Sequence, residues 1–169
     1  DLRRSGFNIT QYHDIEDLQT LGTFHVIICD IKGVGKHFHT SAEGAFLIRE
    51  LKKKYPYKVF AAYTGSTNRI GINDYLRGVY IIKKDIDMDD WCNEIDLLVK
   101  KAVNPQYIWS SIREILLNEN VSTLNVAKLE HKYVDIILNR DGNFNDFLKD
   151  KTIAINDNVR DIITSLISN

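Results

Sequence analysis

Apolar positions along this chain fall into two kinds of pattern. Three short runs, His25-Val-Ile-Ile-Cys29, Lys58-Val-Phe-Ala-Ala-Tyr63 and Val79-Tyr-Ile-Ile82, are continuous and rich in β-branched and aromatic residues. Each is too continuous for a strand with one wet face and too short for a helix. They are therefore predicted to be strands buried on both faces, as in a parallel sheet. A weaker alternation, Phe7-Asn-Ile-Thr-Gln-Tyr12, predicts a further strand nearer an edge.

The second pattern has helical spacing. Ile15, Leu18 and Leu21 share one side of a segment from Asp14 to Leu21 that ends at Gly22. Thr40-Ser-Ala-Glu43 fits a capping box ahead of Leu47, Ile48, Leu51 and Tyr55, with Lys52-Lys-Lys54 in the last turn and Pro56 as a stop. Asp87 to Val103 carries Asp89 and Asp90 at its start and Lys100 and Lys101 at its end, matching the helix dipole at both termini. Asn68 to Leu76 predicts a shorter helix. Strands alternating with helices give an open α/β sheet, parallel, with helices on both faces.

Beyond Asn104 the strand pattern stops. Tyr107 to Leu117 and Leu124 to Leu138 predict helices, and Val159, Ile162, Ile163, Leu166 and Ile167 form another stripe at helical spacing. The chain is thus read as an α/β domain over 1–104 and an all-helical extension over 105–169. The extension is small, and leaving its stripes bare would expose a patch larger than monomers tolerate, so a homodimer through it is expected.

Composition narrows the function classes. With 22 basic and 23 acidic residues the net charge is -1, so no basic field points to nucleic acid. No apolar run is long enough to span a membrane. Only two cysteines occur, Cys29 and Cys92, at no metal-finger or disulfide spacing, and a cytoplasmic setting is expected.

In an open parallel sheet, chemistry collects beyond the carboxyl ends of the strands. Asp30, Thr64 and Lys83 each stand at such an end. A carboxylate can attack a phosphoryl donor to give an acyl phosphate, and a hydroxyl and an ammonium can then offset the charge of the phosphoryl oxygens. Here the sequence resembles the receiver domain of two-component response regulators, through Val26-Ile-Ile-Cys-Asp-Ile31, Tyr63-Thr-Gly65 and Tyr80-Ile-Ile-Lys83. The resemblance covers about residues 2 to 103 and implies a flavodoxin-like receiver fold. It implies Asp30 as phosphoacceptor and magnesium ligand, Thr64 as the switch hydroxyl and Lys83 as the charge partner. It further implies Tyr80 as the aromatic switch and the Lys32 backbone carbonyl as a second magnesium ligand. The implied partner is a sensor histidine kinase, and the implied protein is a signalling switch rather than an enzyme.

Three features depart from the family. Its first strand, with an acidic pair at the end, has no counterpart, since Leu2-Arg-Arg-Ser-Gly6 reads as the end of a helix; a preceding segment is expected on this reading. The loop from Ile31 to Thr40 is long, and Lys84 stands where a proline commonly follows the lysine. Two rivals are carried: a phosphorylation-independent interaction module of the same fold, and a small flavodoxin-like domain binding a nucleotide or flavin at the same crevice. Gly33-Val-Gly-Lys36 is not a phosphate-binding P-loop, because Asp30 and His37 occupy the places of the first glycine and the final hydroxyl residue. His37 and His39 lack further ligands for a zinc site.

Overall fold

The computed structural model describes residues 6–39, 41–65, 72–139 and 155–167. The chain divides into two compact units, Asp1–Ala102 and Val103–Asn169.

In the first unit, β1 (Val26–Asp30), α1 (Glu43–Lys54), β2 (Val59–Thr64), β3 (Tyr80–Lys83) and α2 (Met88–Ala102) follow one another. The three strands lie in the order β1-β2-β3 and both pairs are parallel, so the fold is an open parallel α/β sheet. Each strand falls within a residue of its apolar run. The reason is burial from both sides: α1 and α2 both pack on β1 and β2, and Leu47, Ile48, Leu51, Val59, Ala61, Ala62, Ile82 and Leu98 are at most 2 % exposed. A sheet covered twice needs continuous apolar strands rather than alternating ones.

Two expected elements of this unit are corrected. Phe7 to Tyr12 forms no strand. It lines, together with β1 and with Trp91, Ile95 and Val99 of α2, a groove of about 790 Å³. Alternation makes a strand only where a neighbour supplies hydrogen bonds, and none of the described strands pairs with this segment. The helix expected over Asp14 to Leu21 shrinks to a single 3-10 turn, Leu18–Leu21. Its acids are occupied locally: Asp14 Oδ1 accepts from the Ile15 amide at 2.8 Å and Asp17 Oδ1 from the Gln19 amide at 2.8 Å. The Asp17 bond caps the 3-10 turn, so the helical segment begins only at Leu18, while Asp14 bonds its own neighbour ahead of it. Of the helix expected over Asn68 to Leu76, residues 68–71 lie outside the described residues, and the remainder is turn, with the Tyr75 and Leu76 amides both donating to the Ile72 carbonyl.

The second unit contains α3 (Pro105–Asn118), α4 (Thr123–Asn139) and α5 (Asp157–Ile167). Asn104 starts α3, its side-chain oxygen accepting from the Gln106 and Tyr107 amides, and Pro105 fits the first turn because that position needs no amide donor. Trp109, Ile112 and Leu116 of α3 and Val126, Leu129 and Tyr133 of α4 pack with Val159 and Ile163 of α5 in one core. Ile112, Leu116, Val159 and Ile163 are thus buried within this unit, while Leu117, Leu124, Val134, Ile137 and Leu138 remain exposed. No helix among the described residues is long and apolar enough to cross a membrane. Asn104→Ala is expected to cost about 1 kcal/mol through loss of the cap, measured as a shift in the urea midpoint with an unchanged slope; an unchanged midpoint would mean that water replaces the cap at no cost.

Candidate functional site

Because the strands are parallel, their last residues meet at one edge: Asp30 ends β1, Thr64 ends β2 and Lys83 ends β3. Register then sorts them by face. Asp30 stands opposite Tyr63, and Tyr63 opposite Ile82; one row earlier Cys29 stands opposite Ala62, and Ala62 opposite Ile81. Side chains in register share a face and successive ones alternate. Asp30, Tyr63 and Ile82 therefore share one face with Ile28, Ala61 and Tyr80. Thr64 and Lys83, in register with each other, belong to the opposite face with Cys29 and Ala62.

Helices mark the two faces. On the Asp30 side α2 brings Trp91 to the Tyr63 ring, with centroids 4.9 Å apart, and Glu94 to the Tyr80 hydroxyl. That hydrogen bond, before burial, holds the Tyr80 hydroxyl above its ordinary pKa. On the other side α1 approaches so closely that the Cys29 sulfur lies 3.8 Å from the Gly44 carbonyl oxygen. Burial, reinforced by the Asp30 and Asp14 carboxylates, pushes the Cys29 thiol up to about 12, so it stays protonated and inert at neutral pH.

The Asp30 carboxylate is engaged at both oxygens. Oδ1 accepts from the Lys32 amide at 3.0 Å, and Oδ2 pairs with the Lys84 ammonium at 2.5 Å. Lys84 also lies over the Tyr63 ring, 5.1 Å from its centroid. The residue paired with Asp30 is Lys84, whereas Lys83 is exposed on the Thr64 side. Thr64 is buried, 8 % exposed, and Tyr80 lies on the Asp30 face but further down the strand, held by Glu94. Lys32 lies at the start of the loop after β1 and is exposed.

Three groups absent from the expected site also belong to it. In addition to Lys84, Asp14 Oδ1 accepts from the Gly35 amide at 2.8 Å, and Glu43 Oε2 accepts from the Gly33 amide at 2.5 Å. The Lys32, Gly33 and Gly35 amides of the loop after β1 are thus taken by carboxylates from three places. The loop can turn this way because Gly33 and Gly35 have φ of +84° and +75°, a region that favours glycine. Glu43 therefore does not close the expected capping box, whose Thr40 lies outside the described residues. The first turn of α1 is instead tied by His39, whose Nδ1 accepts from the Ala42 amide at 3.0 Å. The only legible signal for this loop was its pair of glycines.

Comparison with known protein families, curated proteins and solved structures finds no match to this chain. The geometry of the Asp30 edge has to carry the functional reading by itself.

Of the magnesium ligands implied by the resemblance, Asp30 ends β1 and Lys32 follows two residues later in the loop. Asp30 and Asp14 line the same groove, but among the described residues no group of three or more His, Cys, Asp or Glu side chains is placed to hold a metal ion. Asp30 Oδ2 already carries a cation in the Lys84 ammonium.

Proposed function

We propose that the Asp1–Ala102 unit is a receiver-like signalling domain that takes a phosphoryl group on Asp30 from a histidine kinase and changes its protein contacts in response. The observation that carries this reading is the Asp30 carboxylate itself. It ends a parallel strand, is about one-third exposed, receives a backbone amide on one oxygen and meets an ammonium on the other. A structural aspartate closing a strand requires only the amide.

The chemistry is a phosphoryl transfer between two oxygen or nitrogen nucleophiles. A carboxylate oxygen of Asp30 attacks phosphorus, the bond from phosphorus to the donor breaks, and the donor leaves with the electron pair as acetate from acetyl phosphate or as neutral imidazole, once protonated, from phosphohistidine. The product is an acyl phosphate. The protein supplies position and charge: the Lys32 amide fixes the carboxylate, and a lysine at the edge offsets the charge of the phosphoryl oxygens. Release of charge from the carboxylate weakens its hold on the Lys32 amide, and that loop is the segment tied to Asp14 and Glu43. A change at Asp30 is thereby passed to the start of α1.

Intact-mass measurement after incubation with acetyl phosphate and magnesium tests this. Wild type is expected to gain one phosphoryl group and Asp30→Asn none. Equal labelling of both places the acceptor elsewhere, and no labelling of either leaves the phosphorylation-independent interaction module as the better reading.

A further inference from the structure

We infer that Lys84, and not Lys83, is the cation that meets the phosphoryl group at Asp30; this rests on the phosphoacceptor reading of Asp30 above. The first argument is parity. Lys83 stands in register with Thr64, on the face opposite to Asp30. The Lys84 amide still donates to the Thr64 carbonyl at 3.2 Å, one residue past β3. Lys84 begins the turn that follows β3, and from there its ammonium reaches the face that carries Asp30 and Tyr63.

The second argument is what surrounds the ammonium. It pairs with Asp30 Oδ2 and rests over the Tyr63 ring, and that ring is braced by Trp91 of α2. The aromatic face holds a cation whether or not the carboxylate keeps its charge. When an Asp30 oxygen bonds to phosphorus, negative charge moves outward to the phosphoryl oxygens. The ammonium, on a flexible four-carbon stem, follows it without leaving the ring. Lys83 has no comparable support: among the described residues no ion pair or ring contact involves it, and reaching Asp30 requires its side chain to cross the edge past Thr64.

In this arrangement Tyr63 and Trp91 are positioning residues, and they connect the charge at Asp30 to α2 rather than to Thr64. The lysine that replaces a turn-forming proline in the resembling family thus takes the charge-partner role here, while the lysine at the family's position faces the other way.

Rates of label uptake from acetyl phosphate in the full chain test this. Lys84→Met and Lys84→Gln are expected to slow uptake by about tenfold or more, as for loss of one charged group from a site of developing charge. Lys84→Arg is expected to restore most of the rate, and Lys83→Met to stay within about twofold of wild type. Rescue by arginine separates a charge role from a merely structural one, and melting curves confirm that each variant is folded. If Lys83→Met slows uptake and Lys84→Met does not, the inference is overturned while the Asp30 reading stands. Equal slowing by both overturns the assignment to Lys84 alone. A wild type that takes no label, with Lys84→Met the same, overturns both.

Discussion

Gly44→Ala is expected to destabilise the protein by about 3 kcal/mol, an unusually large effect for adding one methyl group. A Cβ at position 44 would lie 2.0 Å from the Asp30 carbonyl oxygen, 3.0 Å from the Asp30 carbonyl carbon and 3.1 Å from the Ile31 Cα. All three are backbone atoms, so no flexible side chain can move aside. Helix preference runs the other way, since alanine is better than glycine inside a helix by about 1 kcal/mol. The overlap wins because relieving it requires α1 to lift off β1, and the Gly44 amide donates to the Ile31 carbonyl at 3.3 Å across that same junction. Urea unfolding of the full chain measures the loss. On the proposed function the same substitution is expected to slow label uptake, because the displaced carbonyl belongs to Asp30, the proposed acceptor. An unchanged midpoint would mean that the start of α1 does not rest on the end of β1.

The second large effect is a dependence on pH centred on Lys58. This lysine sits just before β2, at the edge of the sheet opposite Asp30, and is 3 % exposed. Its ammonium donates to the Gly22 and Phe24 carbonyls at 2.6 and 2.7 Å and lies over the Tyr55 and Tyr57 rings. Burial lowers its pKa from 10.5 to about 8. Between that value and the unfolded value of about 10.4 the unfolded chain holds the proton that the folded chain has shed, so stability rises with pH across this window. The gain is lost again as pH falls through about 8. From about pH 7 to about pH 10, wild type should gain about 2 to 3 kcal/mol relative to Lys58→Met, at 1.36 kcal/mol per pKa unit. Comparing the two proteins cancels the tyrosines and other groups that titrate in the same range. A constant difference between the two denaturation midpoints would show that the carbonyls and rings hold the ammonium as well as water does.

What could be read from the sequence was whatever is encoded by neighbours along the chain. Val26–Asp30, Val59–Thr64 and Tyr80–Lys83 were legible because burial on both faces demands unbroken apolar runs. The helices of the second unit were legible from their apolar spacing. The same logic placed Asp30, Thr64 and Lys83 at strand ends, and parallel pairing then brought those ends to one edge.

Tertiary structure decided the rest. Phe7 to Tyr12 alternates like a strand, but strand formation needs a partner that no local pattern supplies. The partners of the loop after β1 are remote: Gly35 bonds Asp14, 21 positions away, and Gly33 bonds Glu43, 10 positions away. The choice between Lys83 and Lys84 is subtler. Adjacent lysines are equivalent in composition and in distance along the chain. The register of β3 against β2, and of β2 against β1, puts Lys83 on the face of Thr64, and the turn after β3 brings Lys84 to Asp30. Because side chains alternate with a period of two, a shift of one residue reverses that outcome, and register is set by pairing between strands rather than by either strand alone.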